Sequence, residues 1–317
     1  MTIALVTNPR SRRNRRDPDL SDALAASLGD AGALCSPDDL EALAASAAGW
    51  AADPPALLAI NGGDGTLHQV LTAAIRAAGE ERPLPPVAIL RGGTMNIVAD
   101  SVGVRIGPQA MLAHVTGDAP LPRTTRRILR IQADDAEPVY GFLSGNGVIS
   151  RFLELYYAAD DPSPADAARL LARGALSALV QGPLIRQLMR PYAGRVLVDG
   201  QPVVGAGGET GRWTAVALGT VEQMGLGFRV FPMTRQAPDR IGVVAIGSSV
   251  AQLALELPRV YLGRGVRREG NSVHLAGEVV LDGDEPIALM VDGDLCRAER
   301  RVRIGVGPAV TFLLPPG

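Results

Sequence analysis

Short apolar runs alternate with amphipathic stretches through the first third of the chain, and this β-then-α order restricts the fold more than any other feature. Residues 2–7, 56–61 and 87–90 read as strands, with a further apolar run at 33–35. Between them Leu20, Ala23, Leu24 and Leu28 recur at helical spacing, and a second helical stretch runs over 39–50, with Asp39 as its N-cap. Leu67, Val70, Leu71, Ala74 and Ile75 share one face of a third helix, and another helix starts at about residue 96. Strands that return through helices in one direction form a parallel sheet covered on both faces. Ligands of such sheets belong at the carboxyl ends of the strands.

The pattern changes after Pro120 and Pro122, which mark the expected linker. Strands then dominate, at 127–132, 139–143, 195–198, 213–218, 241–246, 278–281, 287–291, 302–306 and 310–314, with turn signals at Asp199-Gly200 and Asp282-Gly283. Two helical interruptions are expected over 165–189 and 250–262. The architecture predicted is therefore α/β followed by all-β. Residues 1–122 form a doubly wound, nucleotide-binding parallel-sheet domain, and 123–317 an antiparallel β-sandwich substrate domain whose last strand is free to pack back on the first.

Three motifs fall where ligands of such a sheet would sit. Asn61-Gly62-Gly63-Asp64-Gly65-Thr66 joins a strand to a helix. Its glycines allow a sharp turn and close approach of an anion, and the helix start presents free N–H groups. Asp64 cannot hold phosphate without a bridging cation, so Mg²⁺ or an accepting hydroxyl is its expected partner; capping of a tight βα turn is the plainer reading. Arg91-Gly92-Gly93-Thr94-Met95-Asn96 repeats the arrangement at the next strand, with Thr94 and Asn96 as neutral hydrogen-bonding groups or as helix caps. Asn8-Pro9-Arg10-Ser11 follows the first strand and leads into Arg12, Arg13, Arg15 and Arg16. Those arginines suit phosphate oxygens and equally suit a solvated loop.

Composition removes several classes of function. All 31 basic residues are arginine. A Walker phosphate loop and a protein-kinase site both require lysine, so phosphate chemistry here depends on main-chain amides, arginine and metal. With 4% aromatic residues and a formal charge of −2, no nucleic-acid partner is expected. Cys35 and Cys296 lack metal or disulfide spacing, and no apolar stretch reaches the length of a membrane span. The chain reads as cytoplasmic, meeting any lipid from the membrane surface, and a homodimer is compatible with it. Leu176, Leu179, Val180, Leu184, Ile185 and Leu188 form an apolar face beside Arg186 and Arg190, suited to core packing or to contact with lipid.

Asn8-Pro9, Gly62-Gly63-Asp64-Gly65-Thr66 and Gly93-Thr94-Met95-Asn96 together resemble the diacylglycerol kinase catalytic-domain family, which includes bacterial lipid kinases and the sphingosine and ceramide kinases. Val291-Asp292-Gly293-Asp294 resembles that family's late Asp-Gly-Glu element, with Asp294 one methylene shorter than the usual Glu. The resemblance implies ATP and Mg²⁺ as cofactors and a diacylglycerol or related lipid alcohol as phosphate acceptor, hence a place in phospholipid metabolism. It implies that Asn8, Arg10, Ser11, Gly62, Gly63, Asp64, Gly65, Thr66, Gly93, Thr94 and Asn96 bind nucleotide. Asp292, Asp294 and Asp64 become the catalytic carboxylates, in a cleft between domains, with Asp292 as general base. Asp64 and Asp239 are the implied metal ligands, although Arg240 and Gly242 stand where the family's structural Mg²⁺ stretch has Gly and Asp. The Gly-Gly-Asp-Gly-Thr element is shared with NAD kinases, so an NAD kinase-like enzyme and a non-catalytic nucleotide- or lipid-binding relative stay open beside the lipid kinase.

Overall fold

The computed structural model describes residues 2–158, 163–179, 182, 191–205, 211–267 and 269–316. Two compact units emerge, Met1–Ile128 with Gly307–Gly317, and Leu129–Val306.

In the first unit, strands β1 (Ile3–Thr7), β2 (Gly32–Cys35), β3 (Leu57–Gly62) and β4 (Val87–Arg91) pair in parallel in the order β2-β1-β3-β4. Every residue of β1 and β3 is buried, which requires cover on both faces and explains their unbroken apolar character. The cover comes from α2 (Leu20–Leu28), α3 (Leu40–Ala52), α4 (Asp64–Ala78) and α6 (Pro108–Thr116), with α3 against α4 and α2 against α6. Asp39 caps α3 by accepting from the Ala42 amide at 2.8 Å. The arginine run forms the short helix α1 (Arg12–Arg16), and α5 (Ile97–Val102) follows the second glycine turn.

The chain leaves the first unit within β5 (Arg123–Ala133) and re-enters it within β17 (Arg301–Leu313), where Phe312 pairs in parallel with Val87 of β4. Sequence punctuation at Gly307-Pro308 suggests two strands, but β17 is continuous. Proline's fixed φ is compatible with extended backbone, so Pro308 does not break it.

In the second unit one antiparallel layer runs β10 (Arg212–Trp213), β8 (Tyr192–Val198), β14 (Glu278–Gly283) and the start of β17, with β6 (Val139–Gly141) on β5 and β9 (Gln201–Pro202) on β8. The other runs β13 (Asn271–Ala276), β12 (Ile241–Ile246), β11 (Ala215–Gly219), β7 (Leu143–Asn146), β15 (Ile287–Val291) and β16 (Asp294–Ala298). Val196, Trp213, Val279, Leu281 and Ile304 of the first layer share a core with Val216, Leu218, Val243 and Leu289 of the other, so the expected sandwich is present. The turn expected at Asp282-Gly283 comes later, because both residues still belong to β14.

Helices α7 (Val148–Tyr157), α8 (Pro164–Leu179) and α9 (Val250–Tyr261) pack on one another through Phe152, Ala178, Val250 and Ala254. Of the apolar face anticipated near residue 180, Val180, Leu184, Ile185, Arg186, Leu188 and Arg190 lie outside the described residues.

Candidate functional site

The three motifs meet at the carboxyl ends of β1, β3 and β4. Pairing in register places Thr7 beside Asn61 and Gly62 beside Arg91, so the turns that follow are neighbours. The Asn8 amide donates to the Asn61 carbonyl at 3.0 Å, and the Asn8 side-chain Nδ2 donates to Thr66 Oγ1 at 2.8 Å. Asn8 Oδ1 accepts from the Arg10 amide, and its carbonyl accepts from the Ser11 amide and from Asn14 Nδ2. Arg13 N donates to the Gly92 carbonyl, and Gly92 N to the Gly62 carbonyl at 2.9 Å.

The glycines are demanded by this packing. A Cβ on Gly93 would overlap Gly63 Cα, one on Gly62 would overlap the Thr66 side chain, and one on Gly92 would overlap Asn61 Oδ1. Bare backbone therefore touches bare backbone where two turns meet, which is the use to which glycine is suited. Asn96 adopts the left-handed conformation at φ 51°, and its amide side chain closes the second turn by accepting from Gly93 N and donating to the Gly93 carbonyl. Thr94 is half-buried within the same turn.

Asp64 is the joint between the two turns. It opens α4, and its Oδ2 and Oδ1 accept from the amides of Ile97 and Val98, both at 2.9 Å, so it caps α5 from a distant part of the chain. Asn96, the residue before α5, supplies no side-chain cap of its own. Burial pushes the Asp64 carboxyl above the ordinary aspartate value, more than the Val98 and Ile97 amides lower it, and the charge of Asp100 adds to the rise. Asp100 itself is paired with Arg91.

Beneath these turns lies a group of buried polar atoms without hydrogen-bond partners. Asn61 is fully buried with both Oδ1 and Nδ2 unpartnered, and Thr7 Oγ1, Ser11 Oγ and Asn14 Oδ1 are in the same condition. Each such group costs about 1–3 kcal/mol when left unmade, so together they call for a polar occupant. Nor has Gly63, which caps α4, a side chain to satisfy the first-turn amides of that helix. Uncapped amides at a helix start, a glycine turn and orphaned hydroxyl and amide groups suit phosphate and ribose oxygens. Asn61, Thr7 and Asn14 were not predicted as site residues; an asparagine ending a wholly apolar strand is the signal that points to the first of them.

The late carboxylates lie in the second unit. Asp292 and Gly293 form the tight turn between β15 and β16 with φ values of 45° and 99°, the sign required by a two-residue hairpin. Asp292 is only 4% exposed, and its Oδ2 and Oδ1 accept from the amides of Phe142 and Leu143, each at 2.8 Å. The hairpin turn is thereby clipped to the β6–β7 junction. The Tyr157 hydroxyl donates to the Gly293 carbonyl at 2.9 Å. Asp294 is half-buried on β16, close enough that its charge adds to burial in raising the Cys296 thiol.

Asp239 is exposed in the turn before β12. A side chain on Gly242 would meet Thr234 Cγ2 at 2.8 Å and Phe231 Cβ at 3.1 Å, so that stretch does not fit a second carboxylate there. Among the described residues no three His, Cys, Asp or Glu side chains gather as a metal cage.

Residues 2–122 match the family model described as the diacylglycerol kinase catalytic domain. No curated protein matches the chain significantly. A structure described as a diacylglycerol kinase from Bacillus anthracis str. Sterne is 14% identical, with a TM-score of 0.65 over 99% of this chain and 97% of that one. A second from the same strain is 15% identical with a TM-score of 0.71 over the same shares. At these identities the likeness is one of fold, and it extends through both units.

Proposed function

From the match of residues 2–122 to the diacylglycerol kinase catalytic-domain model, we propose an ATP-dependent kinase that phosphorylates the hydroxyl of diacylglycerol or a related lipid alcohol. The observation that carries this reading is the convergence of uncapped α4, paired glycine turns and buried unpartnered Asn61, Thr7 and Ser11 at three adjoining strand ends. Nucleotide phosphates are assigned to the turn at Gly62, Gly63, Gly65 and Thr66, with Asn8, Arg10 and Ser11 on one side and Gly93, Thr94 and Asn96 on the other. Main-chain amides take the place of the missing lysine. Asp64 is the carboxylate that would face magnesium, and the ion would offset charge on the transferred group.

In the transfer step the lipid hydroxyl oxygen bonds to the γ-phosphorus, the bond from that phosphorus to the β–γ bridging oxygen breaks, and ADP departs. The hydroxyl proton passes to Asp292, with Asp294 as the neighbouring carboxylate. No helix among the described residues is long and apolar enough to cross a membrane, and a lipid substrate would be reached at the membrane surface.

The test is transfer of label from γ-labelled ATP into chloroform-extractable product across a lipid panel, with NAD as a control acceptor. Asp292→Asn is expected to lower kcat by about 10²–10⁴-fold while calorimetry shows unchanged ATP affinity. Label on NAD alone, or undiminished transfer by the variant, sinks the respective part of the proposal.

A further inference from the structure

The C-terminal end of α9 presents an apolar stripe that is exposed among the described residues. Leu255, Pro258 and Leu262 are spaced three and four residues apart and fall on one side of the helix, and Leu255 and Leu262 are 69% and 67% exposed. Tyr261 beside them is 57% exposed, with its ring edge-on to Phe228 at a centroid distance of 5.6 Å. Phe228 belongs to a tight loop at 224–230, closed by Met224 N to the Phe228 carbonyl and Phe228 N to the Gly225 carbonyl. Arg229 N donates to the Val260 carbonyl at 3.3 Å and ties this loop to the helix end.

Arginines surround the stripe. Arg229, Arg264 and Arg267 are exposed, and among the described residues none of them joins an ion pair. The nearby Glu256 accepts from the Arg267 amide at 2.7 Å, and Glu222 is held by Arg235. Exposed leucines, a tyrosine at their edge and unpaired cations around them are the features of a surface that enters the headgroup region of an anionic bilayer. A second copy of the chain is a poorer occupant, because an isologous contact would bring the two sets of arginines together.

We propose that the α9 end and the 224–230 loop seat this protein on an anionic lipid bilayer. The inference rests on the reading of a lipid substrate, for which a bilayer is the source, but it is tested without nucleotide. Wild-type protein is mixed with vesicles of phosphatidylcholine alone or phosphatidylcholine with phosphatidylglycerol, and bound protein is measured by flotation. Binding to the anionic vesicles is expected, weakening with salt.

Arg264→Gln with Arg267→Gln is expected to weaken it by roughly fivefold per arginine, and Leu255→Ser with Leu262→Ser to abolish it, at unchanged melting temperature. Equal binding by wild type and both double variants, absence of wild-type binding to anionic vesicles, or a dimer that the leucine variant converts to monomer would each overturn the proposal. Phosphorylation of a water-soluble short-chain diacylglycerol, assayed in parallel, reports on the kinase reading alone, so the two ideas fail separately.

Discussion

On the proposed reading, Asn61 sets stability against nucleotide binding. Its amide is fully buried and makes no hydrogen bond to the described protein atoms, a condition that a folded chain tolerates only for a purpose. Asn61→Leu, near-isosteric and apolar, is expected to raise the unfolding free energy of the nucleotide-free protein by about 1 kcal/mol and to abolish the thermal shift produced by ATP. Denaturant melts with and without ATP read both effects, and a variant that is less stable yet binds ATP would contradict the assignment.

Asp134 offers a pH prediction of opposite origin. Its carboxylate accepts from the amides of Glu299, Arg301 and Arg300, and these bonds hold its pKa below the ordinary value of 3.8. A depressed folded-state pKa contributes stability above the unfolded pKa and loses it as pH falls through the folded one. Asp134→Asn should therefore melt below wild type at neutral pH, by under about 1 kcal/mol because solvent screens the site. The gap should close below pH 3.8.

At the level of elements, what could be read in advance depended on how completely each one is buried. β1, β3 and β4 are apolar up to Thr7, Asn61 and Arg91 near their ends, and the glycine turns after β3 and β4 lie at the strand ends where the chain pattern placed them. β13 and β16 escaped notice because Asn271, Ser272, His274, Asp294 and Arg297 interrupt their apolar residues, and their identity as strands comes from pairing with β12 and β15. α1 reads as a charged loop, yet buried Asn14 bonds the Asn8 carbonyl and holds it as a helix. The distant capping of α5 by Asp64, and of the β6–β7 junction by Asp292, join positions 33 to 150 residues apart in sequence. No local pattern carries such information.

For the whole molecule, the notable fact is that one strand serves both units. β17 contributes its first residues to the sandwich and its last to the parallel sheet, where Phe312 is fully buried against the Val87 register. A chain ending at residue 306 would expose the β4 edge and remove a buried aromatic whose loss alone costs about 3–5 kcal/mol. Such a truncation should lose the cooperative melt of the first unit, seen as early proteolysis within residues 1–128, and retention of that melt would refute the point.

On a ribosome the order of events follows. Residues 1–128 are translated before the outermost parallel strand they require. The unit they belong to must therefore wait, protected or only partly ordered, while 178 intervening residues are synthesised, and the glycine turns and the sandwich reach maturity almost together rather than in sequence.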